Sequence, residues 1–300
     1  MFFRNLSLYR LTAPFNHTAE KLESLLAERP FVPCGNATPV SRGWVPALGG
    51  SEGTLVHATA GRLLITLQEE EKILPAQVVA RAVEERISER EARDGRKVPA
   101  RERRNLRDEL TLELLPRAFT RLRTTRALID PEAGWLVVDS AARKRADTLV
   151  SLLRELLGSL PVRPPQPTRE PALSMTTWLE SGRAPDGFFL GEQCELRAPD
   201  GGAVVRLSGQ SLDSEEVRAH LRQGLRVTRL ALLWRGRLAF NLLESADLRQ
   251  LDFEEVIDEL PDPAALASQA ELLDAQFALM AGELTRLLPD LSQALGGEAP

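Results

Sequence analysis

The sequence predicts an α+β protein in which mixed sheets are combined with long helices. Strand-like segments cluster without the regular strand–helix alternation of a parallel sheet. Leucines at helical spacing indicate long helices in the middle of the chain and near its end. The 300 residues are 43% hydrophobic and 27% charged, so the chain can bury a core without disulfide bonds or a structural metal.

Residues 1–75 and 127–160 are expected to form one α+β part. Strands are indicated by alternating or continuous apolar runs, and helices by leucines at steps of three and four. The expected elements are a strand at 6–11, a helix at 18–27, a hairpin around Gly61, a strand at 134–139 and a helix at 142–157 that ends at Gly158.

Residues 76–126 are expected to form a basic helical insertion. A first helix begins after Pro75 and is interrupted at Gly95. A second helix runs from Arg101 and carries leucines at steps of four. Pro116 fits the first turn of a further helix, because that position needs no backbone N–H.

Residues 161–171 hold five prolines and are interpreted as a linker. Residues 172–300 are expected to form a C-terminal α+β part with a last helix at about Ala264–Leu288, opened by Pro263 and ended by Pro289. Its heptad pattern fits either packing against the chain's own sheet, which we favour, or a dimer seam. The pattern consists of Leu266, Ala270, Leu273, Phe277, Met280, Leu284 and Leu287.

Charge is distributed unevenly along the chain. The formal net charge of -5 by itself argues against a nucleic-acid-binding protein. However, residues 81–126 hold 14 basic and 9 acidic side chains, whereas residues 241–300 hold 2 basic and 13 acidic ones. Such a chain can present a positive groove to DNA while the rest of its surface stays negative.

The basic side chains of the helical insertion recur at helical spacing. Four of them are spaced 4, 3 and 4 residues apart, which places them on one face if the helix continues past Gly95. Guanidinium groups in a row can pair with successive phosphates, although spacing alone favours a solvated face of Glu–Arg pairs. The candidate phosphate contacts here are Arg86, Arg90, Arg93, Lys97, Arg101, Arg104, Arg117 and Arg121.

Phe119 lies between Arg117 and Arg121. An aromatic side chain flanked by arginines can stack on a base or fill a pocket of a partner. The alternative is a position in the core, which the residue type alone favours.

Catalytic chemistry has little support in the sequence. The three histidines do not share metal-ligand spacing, and there is no glycine-rich phosphate loop. Glu70 and Lys72 at a strand end, with Glu52 upstream, could hold a metal ion and position water in a nuclease. Solvated charges at a strand end are the favoured explanation, so we expect no enzyme, metal or cofactor. The same two interpretations apply to Asp130, Glu132 and Asp139.

The compartment is predicted from what the chain lacks. Cys34 and Cys194 are too far apart in sequence to suggest a disulfide framework, which suits a reducing environment. The first ten residues lack the apolar core of a signal peptide, and no apolar run reaches the ~20 residues of a membrane span. We therefore expect a cytoplasmic protein without a membrane partner.

Short stretches recognisable as family motifs occur in order along nearly the whole chain. They are Phe-Val-Pro-Cys-Gly at 31–35, Gly-Trp-Val-Pro at 43–46, Glu-Glu-Lys-Ile-Leu-Pro at 70–75, Leu-Pro-Arg-Ala-Phe at 115–119, Leu-Gly-Ser-Leu-Pro-Val at 157–162, Ser-Glu-Glu at 214–216 and Phe-Ala-Leu-Met-Ala-Gly-Glu-Leu at 277–284. Each stretch alone is a weak signal, but the ordered set is specific. Together they resemble the RdgC family of bacterial recombination-associated proteins.

The resemblance implies a non-enzymatic DNA-binding protein with little sequence preference. Members of the family have a horseshoe-like protomer that closes into a ring-shaped homodimer, with a positively charged hole for duplex DNA. They are associated with the nucleoid and modulate recombination by limiting the access of RecA to DNA. These properties are expectations for the present chain.

The resemblance also suggests particular residues. Phe119 matches the aromatic residue of the family's gate, one of two dimer contacts, and the heptad helix is a candidate for the other. A Lys-Gln pair of the family reads Gly209-Gln210 here, so the glutamine is kept, the lysine is lost, and Arg206 nearby could supply the basic charge. The alternatives are a metal-dependent nuclease and a scaffold whose basic helices dock an acidic protein.

Overall fold

The computed structural model describes residues 1–50, 52–209, 212, 214–261, 266 and 268–299. Within these ranges, eight α-helices and a large antiparallel sheet confirm the predicted α+β class. The expectation of several mixed sheets was wrong, because the named strands of the described residues join one sheet whose pairs are antiparallel. No helix in the described part of the chain is long and apolar enough to cross a membrane.

Twelve strands form this sheet in the described ranges. They are β1 (Asn5–Leu11), β2 (Val40–Val45), β3 (Val56–Thr59), β4 (Arg62–Ile73), β5 (Phe119–Asp130), β6 (Trp135–Asp139), β7 (Val162–Arg163), β8 (Phe188–Arg197), β9 (Val204–Ser208), β10 (Arg226–Trp234), β11 (Leu238–Leu243) and β12 (Leu248–Asp252). Their order is β2-β4-β5-β6-β1-β12-β11-β10-β8-β9, with β3 added to β4 and β7 added to β1. Segments from the beginning and the end of the sequence therefore meet where β1 pairs with β12.

Helices cover the sheet and extend from it. They are α1 (Ala19–Leu26), α2 (Ala76–Asp94), α3 (Ala100–Leu114), α4 (Arg143–Leu157), α5 (Pro171–Ser181), α6 (Glu215–Arg222), α7 (Glu254–Ile257) and α8 (Gln269–Ala294). The Ser214 hydroxyl caps α6 by accepting the Val217 N–H at 3.4 Å.

The central strands are apolar on both faces, because helices cover both sides of the sheet. On β1, Leu8 packs in the cluster that contains α8, whereas Tyr9 packs in the cluster that contains α4. On β6, Val137 packs in the first of these clusters and Val138 in the second. Successive side chains of a strand point to opposite faces, so these apolar runs hold two layers together.

The heptad pattern of α8 is a seam within the chain. Phe277, Met280, Leu284 and Leu287 are buried in the core cluster beside the sheet. These side chains are therefore not available to a second chain, and the favoured prediction of internal packing is confirmed for them. A dimer contact through these four positions was the wrong alternative.

The ends of α8 differ from the prediction. The helix is capped by Ser268, whose hydroxyl accepts the Glu271 N–H at 3.2 Å, while Pro263 lies outside the described residues. The helix continues past Pro289 to Ala294, so the expectation that this proline ends the helix was wrong. Leu291 beyond the proline is buried in the core, and this packing offsets the hydrogen bond that Pro289 cannot donate.

The chain after Pro116 also departs from the prediction. Leu115–Arg117 forms a single 3₁₀ turn, and β5 begins at Phe119, so residues 119–126 are extended and not helical. β4 runs on to Ile73 and provides an edge along which Phe119 to Ile129 pair. Backbone pairing with this distant strand outweighs the local helical preference.

Candidate nucleic-acid interface

Helices α2 and α3 form a hairpin with a small core of its own. Gly95 adopts a left-handed conformation with φ of 65° and ends α2, as predicted. Lys97 consequently lies in the turn, so it does not continue the helical row of Arg86, Arg90 and Arg93 as its spacing suggested. The buried residues of the hairpin are Val79, Val83, Ile87, Val98, Leu106 and Leu110.

The predicted phosphate contacts on α2 are engaged in ion pairs. Arg90 reaches across to Glu102 of α3, with 3.2 Å between Nη1 and Oε1. Arg86 lies 3.8 Å from Glu113 of α3 and 3.7 Å from a carboxylate one turn along its own helix. Arg93 donates to Asp94 at 2.8 Å, and this hydrogen bond lowers the pKa of the Asp94 carboxyl. Arg86 and Arg90 therefore connect α2 to α3, whereas Arg93 is paired within its own helix.

Other basic side chains in this region have no such partner. The exposed residues that make no hydrogen bond or ion pair through their side chains with any described residue are Lys97, Arg101, Arg104, Arg107 and Arg117. Four of them are candidates from the sequence. Arg107 continues the spacing of Arg101 and Arg104, three residues further along α3. The unpaired groups can meet phosphates without first releasing a carboxylate.

Three apolar side chains are exposed where β4 ends and β5 begins. Phe119 is 85% exposed, and it stands opposite Ile73 in the register of the two strands. Leu122 is also exposed and points to the other face of the sheet. We call Ile73, Phe119 and Leu122 the apolar tip. The exposure of Phe119 excludes the alternative that this residue belongs to the core.

Charged side chains alternate across the strands next to the apolar tip. Arg121 donates to Glu71 at 2.7 Å, and Arg123 lies 3.5 Å from the same carboxylate. The hydrogen bond from Arg121 is the main cause that lowers the pKa of Glu71. Arg42 pairs with Glu69 one strand further. Arg121, a predicted phosphate contact, is thus held by a carboxylate of its own sheet.

The second predicted contact region lies on β9. Arg206 is exposed and donates to Glu195 of β8 at 2.7 Å, and Arg197 approaches the same carboxylate at 3.2 Å. The Arg206 hydrogen bond is the main cause that lowers the pKa of Glu195. Gln210, the other residue predicted here, lies outside the described residues.

The residues of the nuclease alternative have structural partners. Glu70 accepts the backbone N–H of Cys34, which lowers the pKa of this carboxyl. Lys72 donates through Nζ to the carbonyl oxygens of Asn36 at 3.2 Å and Leu115 at 3.0 Å. Glu52 lines a separate groove beside the start of α8. Among the described residues, no three His, Cys, Asp or Glu side chains are grouped so that they could hold a metal ion.

The carboxylates around β6 also serve the fold. Asp130 accepts the N–H of Ala133 at 2.9 Å and the hydroxyl of Thr285 at 2.7 Å, which links a turn to α8. Asp139 accepts the backbone N–H of Arg4 at 3.1 Å, and burial raises its pKa. Glu132 is exposed. These contacts fix the turn after β5 and the start of the chain.

The fold and the site describe an α+β protein whose large antiparallel sheet carries a basic helical hairpin and an apolar tip. The family model described as "RdgC: Putative exonuclease, RdgC" matches residues 1–298. The chain belongs to the RdgC family, as the ordered motifs indicated.

Relatives that share this family have the name "Recombination-associated protein RdgC". The protein from Tolumonas auensis is 42% identical over 299 residues, and the alignment covers 99% of both chains. The protein from Laribacter hongkongensis is 44% identical with the same coverage. The protein from Pseudomonas putida GB-1 is 42% identical over 301 residues, covering 99% of this chain and 98% of the relative. The similarity therefore extends over nearly the whole length of this chain and of each relative.

Proposed function

We propose that this protein binds duplex DNA without sequence preference, encircles it as a homodimeric ring, and modulates homologous recombination by limiting the access of RecA to DNA. Membership of the RdgC family and the name of the relatives support a role in recombination. The observation that carries the proposal is an exposed aromatic side chain, Phe119, next to a hairpin with unpaired basic groups. In this proposal the protein acts in the cytoplasm at the nucleoid and is not an enzyme.

Binding through the DNA backbone follows from the chemistry of the unpaired groups. Lys97, Arg101, Arg104 and Arg117 carry charge that no described carboxylate compensates by a direct pair. Phosphate contacts orient a protein on DNA and carry no sequence information. Such contacts release counterions, so the affinity should fall steeply with added salt.

The apolar tip is proposed to close the ring. In a contact with two-fold symmetry, the same surface patch is used by both copies, so one exposed Phe119 meets an equivalent tip. An apolar groove lies at the base of the hairpin, and Leu74, Val79 and Leu115 contribute to it. In this proposal the groove of one protomer receives the phenyl group of Phe119 from the other. Burying a phenylalanine that is exposed in the monomer contributes about 1.5–3 kcal/mol. This is enough for a gate that closes and reopens.

The first test is fluorescence anisotropy with labelled duplexes of two unrelated sequences, at low and at moderate salt. We expect equal affinity for both sequences and a fall of several orders of magnitude with added salt. A marked preference for one sequence would contradict the proposal. Absence of binding at low salt would instead favour a scaffold whose basic hairpin docks an acidic protein.

Encirclement has a topological test. Protein is loaded at low salt on immobilised circular DNA or on the same DNA made linear with free ends, and both are washed at high salt. A closed ring should stay on the circle and slide off the linear molecule. The Phe119→Ala variant should be washed off both DNAs, because its gate contact no longer keeps the dimer ring closed. Equal loss of the unaltered protein from both DNAs would argue against a ring.

The description of the family model makes nuclease activity the second candidate to test. End-labelled duplex and single-stranded DNA are incubated with the protein and magnesium or manganese ions. We expect no cleavage, because Glu70 and Lys72 are engaged in contacts that hold the fold. Cleavage that Glu70→Ala abolishes would assign the nuclease function and overturn the non-enzymatic proposal.

A further inference from the structure

We infer that α3, and not α2, supplies the phosphate contacts of the hairpin, through a stripe formed by Arg101, Arg104 and Arg107. The inference rests on the proposed function, since it names the residues that meet the DNA backbone. It reverses the order of importance that spacing suggested, because the regular row of arginines on α2 is the row that is paired.

Carboxylates of α3 pair with Arg86 and Arg90 of α2 and with Arg96 of the turn. Arg90 and Arg96 share the carboxylate of Glu102, at 3.2 and 3.4 Å. Arg86 lies 3.8 Å from Glu113. A phosphate that recruited one of these guanidinium groups would leave a carboxylate without its partner and close to the DNA. The resulting repulsion opposes the gain from the new contact.

The three arginines of the α3 stripe are not held by a carboxylate at ion-pair distance. Each side chain is exposed and makes no hydrogen bond or ion pair with any described residue. They follow one another at steps of three. Arg101 and Arg104 lie on the side of α3 opposite the buried Leu106 and Leu110, whereas Arg107 lies at the flank of the helix, beside the groove at the base of the hairpin. Arg103 of the same helix is different, because it donates to the Val98 carbonyl and lies 3.6 Å from a carboxylate of α2.

The length of the stripe suits a row of phosphates. Arg107 lies six positions after Arg101, which is about 9 Å along the helix axis. Phosphates of one strand of duplex DNA follow each other at about 3.4 Å along the DNA axis, so the stripe can span on the order of three of them. Guanidinium groups can form two parallel hydrogen bonds to a phosphate, which strengthens each contact.

One acidic side chain limits the stripe. Asp108 is exposed on the same side of α3, one turn beyond Arg104, and it also lacks a partner among the described residues. Its negative charge should weaken the attraction of a nearby phosphate. The inference therefore predicts that Asp108→Asn strengthens DNA binding, an effect that a stripe facing away from DNA would not show.

The experiment compares two triple variants that remove the same charge from the same hairpin. The stripe variant carries Arg101→Gln, Arg104→Gln and Arg107→Gln. The control variant replaces three exposed arginines that are paired with carboxylates, and such surface pairs contribute little to stability. Its substitutions are Arg81→Gln, Arg93→Gln and Arg96→Gln.

The readout is the slope of the logarithm of the binding constant against the logarithm of salt concentration, measured with a random-sequence duplex. The stripe variant should reduce the magnitude of the slope by about 2 to 3, since each lost phosphate contact removes about 0.9. The control variant should keep the slope. Urea unfolding of both variants verifies that the hairpin and the core remain folded.

The outcomes separate this inference from the proposed function. If the unaltered protein does not bind the duplex at low salt, the proposed function itself fails. If the unaltered protein binds but the stripe variant keeps its slope, only the inference fails. An equal loss of slope in both triple variants would also overturn it, because net charge and not the α3 stripe would then determine binding.

Discussion

Asp247 accepts the backbone N–H of Leu8 at 3.1 Å and so joins β1 to the turn before β12. The carboxylate is almost fully buried, and it also accepts from Arg143 at 3.0 Å and from Arg249 at 3.2 Å. Regular pairing between β1 and β12 is short, with Asn5 opposite Arg249 and Leu6 opposite Leu248. Asp247 extends this seam by side-chain hydrogen bonds where backbone pairing ends.

Replacement of Asp247 by alanine is expected to lower the free energy of unfolding by about 3 kcal/mol. It leaves a buried N–H without an acceptor and a guanidinium group without its carboxylate, and the cost of breaking such a buried pair has this magnitude. The measurement is urea unfolding followed by circular dichroism. The control is Asp258→Ala, an exposed aspartate without a side-chain partner among the described residues, which should change stability by less than about 0.5 kcal/mol.

Phe119 and Phe277 should respond oppositely to truncation. Phe277→Ala removes a fully buried ring, so we expect a loss of about 3–5 kcal/mol in the free energy of unfolding. Phe119→Ala removes an exposed ring, so the monomer should keep its stability to within about 0.5 kcal/mol. Denaturant unfolding at low protein concentration measures both. A large loss in the free energy of unfolding for Phe119→Ala would mean that the Phe119 side chain supports the fold, and it would remove the gate proposal.

Lys72→Met should loosen the base of the hairpin. The Lys72 ammonium group bridges the carbonyl of Asn36 to that of Leu115 at the C-terminal end of α3, where a positive charge is favourable. Loss of these charge-assisted hydrogen bonds should cost about 1.5–3 kcal/mol and speed amide exchange in the last turn of α3. The control is Lys144→Met, an exposed lysine whose side chain has no partner in the described ranges. Unchanged exchange in α3 would show that the bridge does not hold the hairpin.

The contact of Asp274 with β3 should make stability depend on acid pH. The hydroxyl of Thr59 donates to Asp274 at 2.7 Å, and this hydrogen bond, followed by that of His57, lowers the pKa of the carboxyl in the folded state. A depressed pKa contributes stability above the unfolded value of about 3.9, and that contribution is lost as the pH falls through the lower folded value.

Asp274→Asn should therefore lose less stability than the unaltered protein when the pH is lowered below about 4. Unfolding free energies measured in urea between neutral and acid pH give the two curves. Asp258→Asn serves as the control and should follow the unaltered protein. Parallel curves for all three proteins would show that Asp274 adds nothing to the acid sensitivity.

Local sequence signals predicted most helices and strands correctly, because their causes lie within a few residues. Periodic apolar residues predicted α2, and the apolar run at 134–139 predicted β6. Gly95 ends α2 in a left-handed conformation that favours glycine. The signals failed at residues 119–126 and at Pro289. In both places a partner distant in sequence decided the conformation, namely β4 for the strand and the core around α8 for the helix.

The same distinction between local sequence signals and distant contacts applies to the candidate nucleic-acid interface. The sequence by itself determined that the chain belongs with recombination-associated proteins, that basic residues concentrate between 81 and 126, and that Phe119 is a candidate contact. Only the tertiary structure decided that Phe119 is exposed and that Arg90 is paired while Arg104 is not. The physical reason is that an arginine is neutralised by the carboxylate nearest in space, and Glu102 reaches Arg90 only after two helices fold against each other.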